Sequence, residues 1–308
     1  MIRYTGKRFL ISLLSVWMLI TVAFFLTRQM PGSPFQTGNV SGEVLEQMEQ
    51  EYGFDQPVSA QYVTYMRNLL HGDLGISYMN PGESVTEVIA RALPTTLSLG
   101  ILAVIVSLVA GTLLGMLQAF SQKRWVRTTI LFGTIFGAGI PNFVIALLLA
   151  LVFGVQWKLL PVVGLDSWTS YLLPVLSLAA YPTAVVTRLM SHACRRELQK
   201  EYVVLAKVKG LPMRRIAWTH VWKNAWSPVL NYAGPAAAFL LTGSFVVESI
   251  FTIPGLGREF VNSIANRDYT LIMGLTIFMG IVVIGVNLAV DLLCVWLDPR
   301  IRKSYSKD

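Results

Sequence analysis

The chain has 308 residues, of which 54% are hydrophobic and only 14% charged, with a mean hydropathy of +0.57. A soluble domain of this length carries about a quarter of its residues as charges, so the composition excludes an ordinary globular protein. The formal net charge of +8 does not point to nucleic acid, because the basic residues fall in clusters between apolar runs and share no single soluble surface.

About 20 apolar residues, at a rise of about 1.5 Å each, make a helix that crosses a hydrocarbon core about 30 Å thick. Six runs have that length: residues 9–27, 95–122, 128–157, 167–187, 224–247 and 269–290. The expected fold is all-α, a polytopic membrane protein of six transmembrane helices in a single domain over residues 1–308. Nineteen of the 25 Lys and Arg residues lie at the N-terminal end, in the second loop, in the fourth loop and in the tail. The positive-inside bias then places both termini and the fourth loop in the cytoplasm.

The first run follows Arg3, Lys7 and Arg8, the flank that a secretory signal also has. It is longer than a signal core and runs on into Arg28-Gln29-Met30-Pro31 without a small-residue cleavage site. It is read as a retained span. Residues 28–94 follow as an exterior segment, opened by the turn Pro31-Gly32-Ser33-Pro34. Three helices are expected there: an acidic one over 43–52; an amphipathic one over 58–70, with Val58, Tyr62, Met66, Leu69 and Leu70 on one face; and a third over 85–93, ending at Pro94. A packed cap is the favoured role for the segment, ahead of ligand contact.

Within the core, residues 95–297, Gly111 and Gly115, and likewise Gly133 and Gly137, stand four apart and expose backbone for close helix packing. Pro141 and Asn142 predict a kink in the third run, and Pro174 and Pro182 similar breaks in the fourth. Ionisable groups are scarce: Glu248 sits at the outer end of the fifth span. Asp291, one turn after Asn287, reads as a structural partner of the basic tail, residues 298–308. A proton- or sodium-driven carrier places carboxylates near the midplane, and none stands there.

No phosphate-binding loop, zinc-protease motif or nucleophile elbow occurs, and His71, His192 and His220 fall on both sides of the membrane. Gly255-Leu256-Gly257 lacks the third glycine of a dinucleotide site and reads as a turn. Cys194 and Cys294, on the cytoplasmic side, make no disulfide framework. Neither an enzyme nor a cofactor site is expected.

The fourth loop, residues 188–223, is the longest basic segment. Glu197 to Glu201 spaces suitably for a helix that Tyr202–Lys209 continues, Gly210 reads as its stop, and Pro212 as the start of another helical turn. Such a helix-elbow-helix fits a groove on another protein, and equally a bed of anionic lipid.

This loop resembles the coupling loop of binding-protein-dependent ABC importer permeases, whose pattern ends in Ala, three residues and Gly, here Ala206 and Gly210. Val204 and Leu205 replace the pattern's leading Glu and first Ala, and His220 and Trp222-Lys223 stand where it has Ile and Leu-Pro. Pro31-Gly32-Ser33-Pro34-Phe35, the stretch from Glu248 through Ile253-Pro-Gly-Leu-Gly257 to Asn266-Arg-Asp-Tyr269, and Asn287, Asp291 and Asp298-Pro299-Arg300 follow in the order seen in oligopeptide, dipeptide and nickel permeases.

The resemblance implies a pore subunit of the cell (inner) membrane that moves peptides inward and is not itself an enzyme. Its implied partners are a second homologous permease, two cytoplasmic subunits that hold the ATP and Mg, and an extracytoplasmic substrate-binding protein. Val203, Leu205, Ala206, Lys209, Gly210, Leu211, Pro212 and Arg214 would meet an ATPase. Pro254, Gly255, Leu256 and Gly257 would form an outer turn near the docked binding protein, with a structural role first. A stand-alone channel or secondary carrier for a small solute is the alternative.

Overall fold

A computed structural model describes residues 2–29, 53–79 and 82–297. The expected 43–52 helix, the Pro31–Pro34 turn and the tail lie outside these residues, as does the Asp291 side chain. The described chain is helical, with one isolated bridge between Ile76 and Ser84 and no strand.

Helix α1 (Ile2–Arg28) packs along the last helix, α13 (Tyr269–Leu297). Ile20 and Phe24 are buried there against Met273 and Ile277. Helix α2 (Val58–Leu70) lays Tyr62, Tyr65, Met66 and Leu69 over that seam, and its Tyr62 hydroxyl lies 2.8 Å from Thr21 Oγ1. The amphipathic reading of residues 58–70 holds, although Val58 and Leu70 stay exposed and Tyr65 takes their place.

Helix α3 (Val85–Phe120) corrects the expectation of a separate 85–93 helix: it runs 36 residues, straight through Pro94. Ser84 and Glu87 form a reciprocal capping box at its start. A mid-helix proline costs about 3 kcal/mol. Val85, Val88, Ile89 and Ala92 are buried against Leu256, Leu271 and Leu275, and each large apolar side chain so buried contributes about 1.5–3 kcal/mol. Packing therefore overrides the proline signal.

The third apolar run is divided, as its proline predicted. Helix α4 (Arg124–Gly139) and α5 (Asn142–Leu149), the latter extended by a π-helical turn over Ala150–Gln156, meet at 108° around Pro141. Ile140 before the proline is extended, at φ −96° and ψ 128°. The fourth run, by contrast, is not broken. A short 3-10 turn (Trp168–Tyr171) leads into α6 (Leu172–Glu197), which holds Pro174 in its first turn, where no N–H bond is lost, and continues through Pro182.

Helix α6 is the most buried long helix. Gly111 and Gly115 of α3 admit its backbone: a methyl group on Gly115 would stand 2.6 Å from Thr187 O, and one on Gly111 3.0 Å from Thr183 O. Gly137 also faces α6, whereas Gly133 faces open space. Gly115→Ala should therefore cost about 1–3 kcal/mol by overpacking and lower the thermal midpoint of the detergent-solubilised protein. Gly133→Ala should leave that midpoint unchanged.

Beyond α6 come α7 (Glu201–Val208), α8 (Met213–Ile216), a π-helical turn (Ala217–Val221), α9 (Trp222–Ala225), α10 (Ser227–Leu241), α11 (Phe245–Ile250) and α12 (Leu256–Ala265). Helix α10 runs from the cluster of Met190, Cys194, Val203 and Val229 at one end of the bundle to the cluster of Leu99, Leu173, Leu240 and Phe251 at the other. With 15 residues it is about 22 Å long, short of the bilayer core. Among the described residues, four helices are long and apolar enough to cross a membrane, and the bent α4–α5 pair makes a fifth. The chain is thus a multi-pass membrane protein. The sixth crossing expected from residues 224–247 is not met by one long helix, because Trp226 and Gly243 interrupt the run.

Candidate functional site

The segment after α6 is fastened before it projects. Glu197 at the end of α6 accepts a 2.5 Å hydrogen bond from the Tyr202 hydroxyl and pairs with Lys200 Nζ at 2.6 Å. Asn224 Nδ2 donates to the Tyr202 oxygen at 3.1 Å and to His220 O at 3.0 Å, tying α7 to α9. Partial burial, and the carboxylate beside it, hold the Tyr202 pKa above its ordinary value, so the hydroxyl remains a donor.

Helix α7 ends where glycine predicted. Gly210 has φ +75°, and Leu211 N donates to Ala206 O at 3.2 Å while Gly210 N donates to Lys207 O at 2.9 Å. This pair of bonds is the Schellman closure, and Leu211 completes it by packing on the cluster that holds Ala206. Pro212 then caps α8, with its carbonyl accepting from Arg215 N and Ile216 N.

Periodicity divides this elbow into two faces. Val203, Ala206 and Ile216 are buried against Met190, Ala193 and Cys194, so they hold the elbow to the bundle. Leu205, Lys209, Gly210, Pro212 and Arg214 point outward, and Leu211 is half-buried. Three outward residues escaped the sequence reading: Val204, Val208 and Met213. Val208 is 80% exposed and Leu205 56%. Their signal was available, since 204 and 208 stand one turn apart on the side opposite 203 and 206. The result is an apolar ledge rimmed by Lys207, Lys209, Arg214 and Arg215.

At the other end of the bundle, the turn at Pro254–Gly257 is built around Glu248, which is 1% exposed. Glu248 Oε1 accepts from Thr96 Oγ1 at 3.2 Å, and Oε2 from Arg258 N at 3.1 Å; Thr96 Oγ1 accepts in turn from Leu256 N at 2.8 Å. A methyl group on Gly255 would stand 2.7 Å from Thr96 Oγ1, so only glycine lets the turn close over the carboxylate. Gly255, Leu256 and Gly257 are buried and Pro254 is exposed. Asp268 does similar work nearby: it accepts from Leu271 N at 3.1 Å to cap α13, and from Ser77 Oγ at 2.5 Å to anchor the 77–79 loop. The Asn266–Tyr269 motif thereby joins two distant segments.

Between these ends, α4, α5, α6 and α10 border a largely apolar groove of about 480 Å³. The backbone break at Gly139–Asn142 forms one wall, and Tyr181, Pro182, Tyr232 and Pro235 form the other. Among the described residues no three His, Cys, Asp or Glu side chains gather closely enough to hold a metal.

Residues 111–303 match the family described as binding-protein-dependent transport system inner membrane component, and residues 1–100 match the N-terminal region of such membrane components. The chain is 38% identical over 306 residues to the oligopeptide transport system permease protein of Haemophilus influenzae, covering 98% of this chain and 100% of that one. It is 36% identical over 303 residues to the dipeptide transport system permease protein of Bacillus subtilis, covering 98% of each. To the dipeptide transport system permease protein of Lactococcus lactis subsp. cremoris it is 34% identical over 302 residues, covering 98% of this chain and 100% of that one.

Proposed function

From the premise that this chain belongs to the family of binding-protein-dependent transport system inner membrane components, we propose that it is the pore subunit of an ATP-driven importer of peptides. The observation that carries this reading is the elbow at Gly210: a rigidly capped helical ledge whose inner face is fixed to the bundle and whose outer face is apolar, basic-rimmed and bare. A ledge of this kind serves as a lever for another protein, and a chain without a phosphate loop needs one to draw on ATP. Relatives that span the same length are named as dipeptide and oligopeptide permeases.

The orientation follows from charge: the elbow and both termini face the cytoplasm, and α2 with the Glu248 turn faces outward. In that frame the run over residues 224–247, with α10 as its main helical part, makes the sixth crossing. A second permease, two ATP-hydrolysing subunits and an exterior binding protein complete the assembly. Peptide passes inward along the groove lined by Tyr181 and Tyr232, between the two permeases. A carrier driven by protons or sodium fits poorly, because the buried carboxylates of the described residues, Glu197, Glu248 and Asp268, all lie at the ends of the bundle.

The test is reconstitution into sealed vesicles. The assembled subunits should import a labelled peptide only when ATP is present on the cytoplasmic side, and this chain alone should neither hydrolyse ATP nor pass peptide. Flux through the lone chain without nucleotide would overturn the reading.

A further inference from the structure

The close of α1, helix α2, the 73–78 loop and the start of α13 enclose a cavity of about 480 Å³ at the end opposite the elbow. This volume lies in the range of small-ligand sites, about 300–1,000 Å³. Arg28, Gln61, Tyr65, Asn68 and Asp73 stand in its walls.

Arg28 sets its character. The guanidinium carbon lies 4.2 Å from the centroid of the Phe54 ring and 5.3 Å from that of Phe24. Aromatic faces steady a cation but accept nothing from its N–H edges. The Arg28 side chain hydrogen-bonds the Tyr78 side chain, but its buried Nε and Nη1 atoms have no hydrogen-bond partner, and no carboxylate among the described residues forms an ion pair with it. Tyr78 meets only part of the guanidinium; buried charged donors left over are costly, so their retention calls for a ligand.

The surrounding polar atoms narrow the class. The Tyr65 hydroxyl and Gln61 Oε1 are also buried and unmatched. Burial holds the Tyr65 pKa well above its ordinary value, so this group offers a proton and not a negative charge. Asp73 stands exposed at the mouth, where Oδ1 accepts from Gly75 N at 2.8 Å. The cavity is therefore cationic in its depth and anionic at its entrance. That polarity matches a zwitterion entering carboxylate first.

We propose that this cavity is a subsite for the free carboxylate of a short peptide, with Arg28 as the anion receptor, Tyr65 as a second donor and Asp73 at the mouth facing the ammonium end. Guanidinium and carboxylate are planar and match in hydrogen-bond geometry, which favours this ligand over a spherical anion. The assignment rests on the peptide-import reading and deepens it, giving the permease its own check on peptide termini.

The permease, assembled with its membrane and ATP-hydrolysing partners but without the exterior binding protein, is placed in lipid nanodiscs and titrated with radiolabelled dialanine or dialanine amide. The unaltered protein should bind the amide about tenfold or more weakly than the acid. Arg28→Gln should remove that difference, and Tyr65→Phe should narrow it. Equal affinity for acid and amide on the unaltered protein, or no saturable dialanine binding, overturns the subsite without reliance on any variant. Displacement of dialanine by acetate at equal concentration also overturns it, by showing an unselective anion hole. Import of acid and amide at equal rates by both unaltered and Arg28→Gln complexes sinks the subsite and leaves peptide import standing. Acid-selective binding in a complex that imports no peptide would sink the import reading instead.

Discussion

Gly210→Asp is expected to abolish ATP-driven peptide import while leaving the permease folded and inserted. Gly210 sits at φ +75°, and no atom lies within 4 Å of where a side chain would begin. The fold therefore loses only the left-handed backbone preference, about 1–2 kcal/mol for an L-residue and least for Asp or Asn. The surface changes far more. A carboxylate appears beside Lys209, on the ledge that carries Leu205 and Val208, where a partner groove must exclude water. Where the groove strips water from this carboxylate without pairing it, docking weakens by about 3–5 kcal/mol, a loss of about two to nearly four orders of magnitude in affinity. ATP-driven uptake in vesicles and nucleotide binding by the partner subunits, measured together, check this result: uptake should disappear and nucleotide binding persist. Normal uptake would remove Gly210 from the coupling surface.

Glu248→Ala should act in the opposite way, through the fold. Its carboxylate accepts from Thr96 Oγ1 and Arg258 N, and helps seat the turn in which Leu256 N meets Thr96. Removing it strands buried donors at about 1–3 kcal/mol each and leaves a void beneath Gly255. The total is a large share of a typical stability of 5–15 kcal/mol. The variant should fail to accumulate in the membrane, and any recovered protein should melt far below the parent in detergent. Glu248→Gln keeps the volume and one acceptor oxygen, and should fall between the two. A stable, transporting Glu248→Ala protein would mean that the turn does not depend on this carboxylate.

Much of the elbow was legible beforehand because its determinants are local. A glycine after an amphipathic stretch, followed at two residues by proline, sets a helix stop and a restart through backbone sterics alone. Which face would be bare was less plain. Val203 and Ala206 read as partner contacts, yet they are held by Met190 and Cys194, residues of α6 distant in the chain. Glu248 shows the same limit. Its charge was conspicuous in an apolar region, but only the approach of Thr96 from α3 and of the 255–258 backbone gives that charge its place.

Composition, run length and the asymmetry of Lys and Arg determined by themselves that this is a helical, multi-pass membrane protein, because the cost of an unpaired backbone or charge in lipid applies to any chain, whatever its tertiary contacts. Helix continuity was decided by tertiary packing. Pro182, which is buried, and Pro94, which is exposed but follows the packed turns of Val88, Ile89 and Ala92, lie within unbroken helices, while Pro141 marks a 108° bend. The cavity at Arg28 likewise exists only once α1, α2 and α13 meet. A proline or an arginine carries the same local chemistry wherever it stands, and the energy that decides its role comes from surfaces that other segments bring to it.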